Sequence, residues 1–408
     1  MGNETPGGVI WRGQVVTADR LIDVGAVVTE GDRIAWVGQA DQIPDAMQGY
    51  EIAGLARGLT ILPGLVDVHC HGGGGTSFPD AETLDDVEAA ANEHLKHGTT
   101  TLIASLVTAP LDVLVKRAAL LVEAVEQGLV AGIHYEGPFL AAERCGAQDP
   151  KYLVSATPDA VNRLVSAAKG AAVSMTIAPE ACISDEGKAA LKALVAGRVL
   201  PSWGHTDCSI DQAKSAVVQG VQDLKSAGEI VRGGRATVTH LFNGMRPLHH
   251  RDPGPIPAFV SAAKDGEVIL EMINDGTHLN PTLVAEILNT VGRDNAVFVT
   301  DAMAATGMGD GTYTLGSQRV RVENGRARLA DGDAIAGGTA HLVDCVRIAA
   351  TKGETSLVDA VYLASAQGAS VLGLKDRGRL EPGLRADMLI TDANLFPVKV
   401  VRAGEVVS

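Results

Sequence analysis

Through the middle of this 408-residue chain, short apolar runs alternate with longer stretches in which apolar residues recur every three or four positions. Eight runs have the length and texture of strands: LVDVHCH, TTTLIASL, AGIHYEGP, AVSMTIAPE, LPSWGHTD, ATVTHLFN, VILEMIND and AVFVTDA. Segments between them, such as DDVEAAANEHLKHG and SIDQAKSAVVQGVQDLKSAG, carry helical spacing and stop at glycine. This alternation predicts a parallel sheet wrapped by helices, either closed into a (β/α)8 TIM barrel or doubly wound, and periodicity alone does not separate the two. The polar positions favour the barrel. His69, His71, Glu136, Glu180, His205, His240, Asp275 and Asp301 all fall at the C-terminal ends of the predicted strands, where barrel enzymes assemble their sites.

The two ends of the chain have a different texture. VIWRGQVVTADRLIDVGAVVTEGDRIAWVG near the start and GRLEPGLRADMLITDANLFPVKVVRAGEVV at the end are short β-rich runs punctuated by turn residues. They are expected to pair into one small β-domain, residues 1–60 with 379–408, which makes residues 61–378 a single inserted barrel.

Composition narrows the function. Thirty-four basic against 49 acidic side chains give a net charge of −15, with no basic run, so no nucleic-acid partner is expected. A few local arginines and backbone amides can still hold an anionic small molecule against that field. The start of the chain lacks the pattern of a signal peptide and no apolar run is long enough to span a bilayer, so a cytoplasmic protein without a membrane partner is expected. Five scattered cysteines without CxxC spacing argue against a disulfide framework or a structural zinc site.

The densest chemistry lies in LPGLVDVHCHGGGG. His69 and His71 alternate on one strand and so face the same way, able to grip one cation. Neutral imidazoles and carboxylates are the usual ligands of zinc and similar ions. One HxH pair is weak support for a metal, but packing gives no reason to place Glu136, His205, His240 and Asp301 at four further strand ends.

PGLVDVHCHG, HYEGPFL, TIAPE, GHTD, THLFNGM and FVTDA, in this order and across most of the chain, resemble the N-acetylglucosamine-6-phosphate deacetylase family of the amidohydrolase superfamily. The resemblance implies a metal-bearing (β/α)8 barrel with a small β-sandwich from both termini, a homodimer, and hydrolysis of the acetamide of N-acetyl-D-glucosamine 6-phosphate to glucosamine 6-phosphate and acetate. It implies one or two divalent ions per subunit, zinc before others. Glu136, His205 and His240 match the shared metal site, and His69 and His71 match a pair that permits a second ion with Glu136 bridging. Asp301 matches the catalytic carboxylate, which also contacts metal: it takes a proton from the attacking water and delivers it to the departing nitrogen. Asn243, Gly244 and His278 match substrate contacts. Arg251 matches a phosphate-binding arginine that reaches into the neighbouring subunit's site.

One position departs from the family. Where its members usually carry histidine in the loop AERCGAQDP, this chain has Gln148, whose amide donates a hydrogen bond but carries no charge. His249, His250 and His341 match no role and read as surface or cap residues, and Cys145 reads as a loop thiol facing the site without a nucleophilic role. Two other readings stay open: an amidohydrolase acting on a cyclic imide or N-acyl amino acid, which gives no reason for THLFNGM and Arg251, and a non-catalytic binding relative, which would be expected to have lost ligands.

Overall fold

The computed structural model describes residues 7–53 and 58–408. The expectation for the chain's first residues therefore lies mostly outside the described part. Eight parallel strands follow one another around the central sheet: Leu65–Cys70, Thr99–Leu106, Gly132–Phe139, Ala172–Ile177, Leu200–Trp203, Ala236–Val238, Val268–Met272 and Ala296–Phe298. A parallel bridge between Cys70 and Ala302 joins the last strand's extension to the first and closes the barrel. The doubly wound alternative is thereby ruled out. We refer to these as the first to eighth barrel strands.

The helices between them begin where the side chains dictate. Thr83 and Ser209 form reciprocal capping boxes with Asp86 and Gln212, which satisfy the first free amides of helices Leu84–Lys96 and Ile210–Ser226. Thr157, Ser184 and Asn280 cap three more. The apolar faces of these helices pack on the strands as one continuous core with Tyr135, Trp203, Phe259 and Phe298 fully buried in it.

Both ends of the chain meet in a second sheet. Strand Thr60–Pro63 runs between Val9–Val16 on one side and Met388–Thr391 on the other, and the order continues through Leu21–Glu30 to Arg33–Gln39. The sheet curls, so Ile34 donates its amide to Leu384 and Ala386 donates to Asp32. Trp11, Ile34, Ile61, Met388 and Val401 fill the enclosed space. The next residue after that central strand is Gly64, which leads directly into the first barrel strand. The terminal domain therefore holds the strand that carries His69 and His71.

Several predicted strands end earlier than their sequence texture implies, three of them just before a candidate residue that turns left-handed. The fifth, sixth and eighth stop at Trp203, Val238 and Phe298, two or three residues before His205, His240 and Asp301. Those three residues adopt left-handed backbone conformations, with φ of 47°, 29° and 49°. A chain that turns left-handed cannot continue a strand, and for non-glycine residues such conformations cost roughly 1–3 kcal/mol each.

A three-stranded hairpin, Gly311–Leu315, Gln318–Glu323 and Arg326–Leu329, is inserted between the eighth strand and helix Leu342–Lys352, and the strand reading above does not include it. Its second turn is Asn324–Gly325, both with positive φ, the arrangement that Asn-Gly favours in two-residue hairpin loops.

The barrel seam rests on one buried acid. Asp67 accepts hydrogen bonds from Thr300 Oγ1 at 2.6 Å and from the amides of His69 and Thr300, linking the first and eighth strands. Asp67→Ala leaves these donors without a partner in the interior and is expected to cost about 1–3 kcal/mol in urea unfolding. Asp67→Asn, which can keep most of the bonds, is expected to cost less. Equal stability of Asp67→Ala and the parent chain would show that the seam does not depend on this acid.

Candidate active site

The residues past the strand ends converge on Glu136. Its Oε1 lies 3.0 Å from His205 Nε2, 2.8 Å from His240 Nε2 and 3.6 Å from His69 Nε2. Its Oε2 lies 3.2 Å from His71 Nε2. Asp301 Oδ1 stands on the other side of the first-strand pair, 3.1 Å from His71 Nε2 and 3.5 Å from His69 Nε2. Two groups result, each with three ligand atoms within 4.8 Å of one another: Glu136, His205 and His240, and His69, His71 and Asp301. All six side chains are buried.

The electrostatics match the geometry. Burial opposes charge on His71 and His240, yet hydrogen bonds to Asp301 and Glu136 push His71 up to about 10, and the bond and charge of Glu136 push His240 up to about 9. Burial likewise opposes charge on Glu136, but the hydrogen bond and charge of His205, with His240 and His71, hold its carboxyl well below the usual range. Asp301 is held at about 2 against its burial by the His71 bond and the charges of His69 and His71. The pocket is thus built around anionic carboxylates that demand positive charge. A divalent cation meets that demand while leaving the rings neutral, the form in which imidazole ligates. The donor set of imidazoles and carboxylates fits an ion of the zinc class.

The rings are oriented by further partners. His205 Nδ1 is 2.8 Å from the Arg144 carbonyl and His71 Nδ1 is 3.1 Å from the Ser105 carbonyl. His69 Nδ1 is 3.1 Å from Glu271 Oε2, which also accepts from the His240 amide. Carbonyls and carboxylates in this position fix which ring nitrogen is left to bind metal. Glu271 is absent from the candidates read from sequence, although an acid inside the apolar run VILEM was the signal for it.

A cavity of about 290 Å³ opens above these residues, lined among others by Gln148, Asn243, Gly244 and His278. Asp275 takes the His278 Nδ1–H at 2.8 Å, and His278 Nε2 lies 3.9 Å from Asp301 Oδ2. Gly244, with φ of +58°, lies so close to His205 that a Cβ there would come within 2.7 Å of Nδ1. Gln148 is held on both sides: its Oε1 accepts from the Thr108 amide at 2.6 Å, and its Nε2 donates to Glu136 Oε2 at 2.5 Å. Its amide thus steadies Glu136 as well as facing the cavity.

The inserted hairpin forms the roof, with Leu315, Ala334 and Ile335 in the cavity wall. Asp80 accepts from the Gly316 amide at 3.1 Å, and Asp149, next to Gln148, accepts from Ser317 at 2.8 Å.

Some candidates are placed elsewhere. Arg251 is exposed, its Nη1 2.9 Å from His250 Nε2, and does not line the cavity. Glu180 braces the fifth-strand loop by accepting from Thr206 Oγ1 and the Asp207 amide, and takes no part in either ligand group. His249 and His250 are exposed, and His341 caps helix Leu342–Lys352. Burial pushes the Cys145 thiol up, which disfavours a nucleophilic thiolate.

Comparison with known proteins agrees with this architecture. The amidohydrolase family profile matches residues 60–407. N-acetylglucosamine-6-phosphate deacetylase of Bos taurus is 34% identical over 362 residues, covering 86% of this chain and 84% of that protein. The Homo sapiens enzyme of the same name is 34% identical over 361 residues, with the same coverage. Among solved structures, N-acetyl-D-glucosamine-6-phosphate deacetylase from Mycobacterium smegmatis superposes with a TM-score of 0.87 at 36% identity, covering 98% of this chain and 100% of that one. No helix among the described residues is long and apolar enough to cross a membrane. The chain therefore belongs to the amidohydrolase family, among its N-acetylglucosamine-6-phosphate deacetylases.

Proposed function

We propose that this chain hydrolyses the acetamide of N-acetyl-D-glucosamine 6-phosphate to glucosamine 6-phosphate and acetate, as a zinc-dependent cytoplasmic homodimer. The observation that carries the reading is the convergence of two ligand groups on Glu136 and Asp301 at the floor of a cavity roofed by the hairpin. Glu136, His205 and His240 would hold one ion, and His69, His71 and Asp301 a second. A divalent ion in this setting supplies a Lewis acid that polarises the amide carbonyl and acidifies water near neutral pH.

The chain's own groups do the rest. Asp301, ionised because its pKa is held at about 2, accepts a proton from the attacking water as oxygen adds to the carbonyl carbon. It then gives that proton to the sugar nitrogen as the C–N bond breaks, which releases acetic acid and the amine; the acid's proton then passes to the amine, so the products are acetate and the ammonium form of glucosamine 6-phosphate. His278, anchored by Asp275, sits beside Asp301 Oδ2 and orients it or the leaving nitrogen. Asn243 and Gly244 offer polar groups to the sugar on the His205 side of the cavity.

Phosphate recognition is assigned to Arg251 of the opposite subunit. Its exposure in the single chain and its place beyond the sixth-strand loop fit a residue that completes a neighbour's site. A guanidinium clamps phosphate through paired hydrogen bonds, which a neutral side chain cannot replace.

His240→Ala is expected to lose bound metal together with activity. Elemental analysis showing a full metal complement in this variant would remove His240 from the ligand set.

Asp301→Asn cannot accept the water proton and is expected to bind sugar phosphate yet turn over at least about a hundredfold more slowly. Near-normal kcat would exclude Asp301 as the proton carrier.

Arg251→Ala is expected to lower kcat/KM for the phosphorylated sugar roughly tenfold to a hundredfold, the equivalent of about 1.5–3 kcal/mol for a charged hydrogen bond, and to spare the unphosphorylated sugar. Mixing Arg251→Ala with Asp301→Asn subunits is then expected to restore activity toward about a quarter of the parent value, because half of randomly formed dimers contain one complete site. No restoration after exchange of subunits would place Arg251 in its own subunit's site or outside the reaction.

A further inference from the structure

Behind the first barrel strand lies another group of ligand-type side chains, which the reaction above does not use. Glu93, His97 and His341 offer ligand atoms within 4.8 Å of one another. Glu93 and His97 stand one turn apart at the end of helix Leu84–Lys96 and share a face, while His341 is the N-cap of helix Leu342–Lys352. Glu93 Oε1 lies 3.0 Å from His341 Nε2, a hydrogen-bond distance that must widen by only a few tenths of an ångström to reach the roughly 3.3–3.6 Å between neighbouring ligands of a tetrahedral ion with bonds of about 2.0–2.2 Å.

The other nitrogen of His97 is already engaged in the way metal-binding imidazoles usually are. His97 donates its Nδ1–H to the Glu93 carbonyl at 2.8 Å, which leaves Nε2 as its free lone pair. His341 Nδ1 faces Asp344 Oδ2 at 3.6 Å and turns Nε2 toward Glu93. The two rings stack with centroids 3.5 Å apart, a separation that two imidazolium cations would resist. In keeping with this, burial and then the His341 charge hold His97 below the ordinary imidazole range. Neutral rings are the ligand form.

The surroundings are shaped to admit the group. The glycine run after His71 and a later glycine leave room for it: a Cβ on Gly307 would collide with Glu93 Oε1, and one on Gly73 would lie 2.9 Å from His94 Nε2. His97 is one-third exposed, so an ion and its waters can reach the cluster from solvent. Two imidazoles with a single carboxylate suit zinc and its neighbours better than calcium or magnesium, which take oxygen ligands. The cluster also borders the catalytic strand, because His94 Nε2 lies 3.2 Å from Cys70 Sγ and 2.9 Å from the Gly72 carbonyl.

We propose that Glu93, His97 and His341 form a further divalent-cation site of the zinc class, which ties helix Leu84–Lys96 to helix Leu342–Lys352 behind the catalytic strand.

Zinc bound per chain after chelation and dialysis against Zn²⁺ tests this. The parent chain is expected to hold about one equivalent more than His97→Gln or Glu93→Gln, while both zinc-loaded variants keep near-parent acetate release. Equal zinc content in parent and correctly folded variants would overturn the proposal and leave the cluster as a hydrogen-bonded imidazole stack. Crystals of the unaltered chain soaked in Zn²⁺ give a reading that needs no variant. An anomalous-scattering peak between Glu93 and His341 is expected, and a peak confined to the Glu136 and Asp301 groups would refute the site.

Discussion

Glu136 is the group on which the rest of the site depends. One of its oxygens faces His205 and His240, and the other faces His71 and the Gln148 amide. A carboxylate buried this deeply is costly unless several partners supply positive charge or hydrogen bonds. Four elements of the barrel meet that requirement by ending at the same point. The left-handed turns at His205 and His240 follow from it, because each chain must leave its strand at once to bring a side chain inward, and the one at Asp301 sets its carboxylate against His69 and His71. Strain of this kind persists only where the surroundings enforce it. Here the enforcement comes from the Asp67 seam, from Glu271 beneath His69 and from carbonyls that fix His71 and His205.

Beside this charged layer, around His134, the barrel interior is a network of neutral polar groups. His134 bonds Ser105 and Thr176 at 2.9 Å each, and the chain of contacts continues through Thr239 to Ser202 and Thr237. Burial, with the charge of His69 next, pushes His134 well below the ordinary imidazole range, so its ring is neutral. Because this network carries no cation of its own, it does not compete with an ion for Glu136 and Asp301. The hairpin roof completes the enclosure, tied down through Asp80 and Asp149. Restricting water around polar donors is what makes such groups effective on a developing charge.

Much of this was readable from residue order. Barrel strands declare themselves as apolar runs because both of their faces are buried, and HYEGPF and THLFNGM place Glu136 and His240 without coordinates. Strand ends were less readable, since a histidine in a left-handed turn looks the same in sequence as one on a strand. Glu271 went unseen because one acid within VILEM weighs little until His69, 202 residues earlier, is found beside it. The hairpin lies outside the βα repeat: RVRVENGRARL carries strand alternation and an Asn-Gly turn, but nothing in the repeat after the eighth strand calls for strands there. Gln148 illustrates a third limit. Its residue type signals a weaker donor than histidine, whereas only the fold shows that its amide is bonded to Glu136.

The central claim is that metal held around Glu136 and Asp301 drives deacetylation of a phosphorylated amino sugar. Acetate release from N-acetyl-D-glucosamine 6-phosphate and from the unphosphorylated sugar, measured on chelated enzyme before and after restoring Zn²⁺, tests it most directly. The account predicts negligible release without metal, recovery on its return, and a strong preference for the phosphorylated sugar. Undiminished release from enzyme shown to be free of metal, or equal rates for the two sugars, would contradict it.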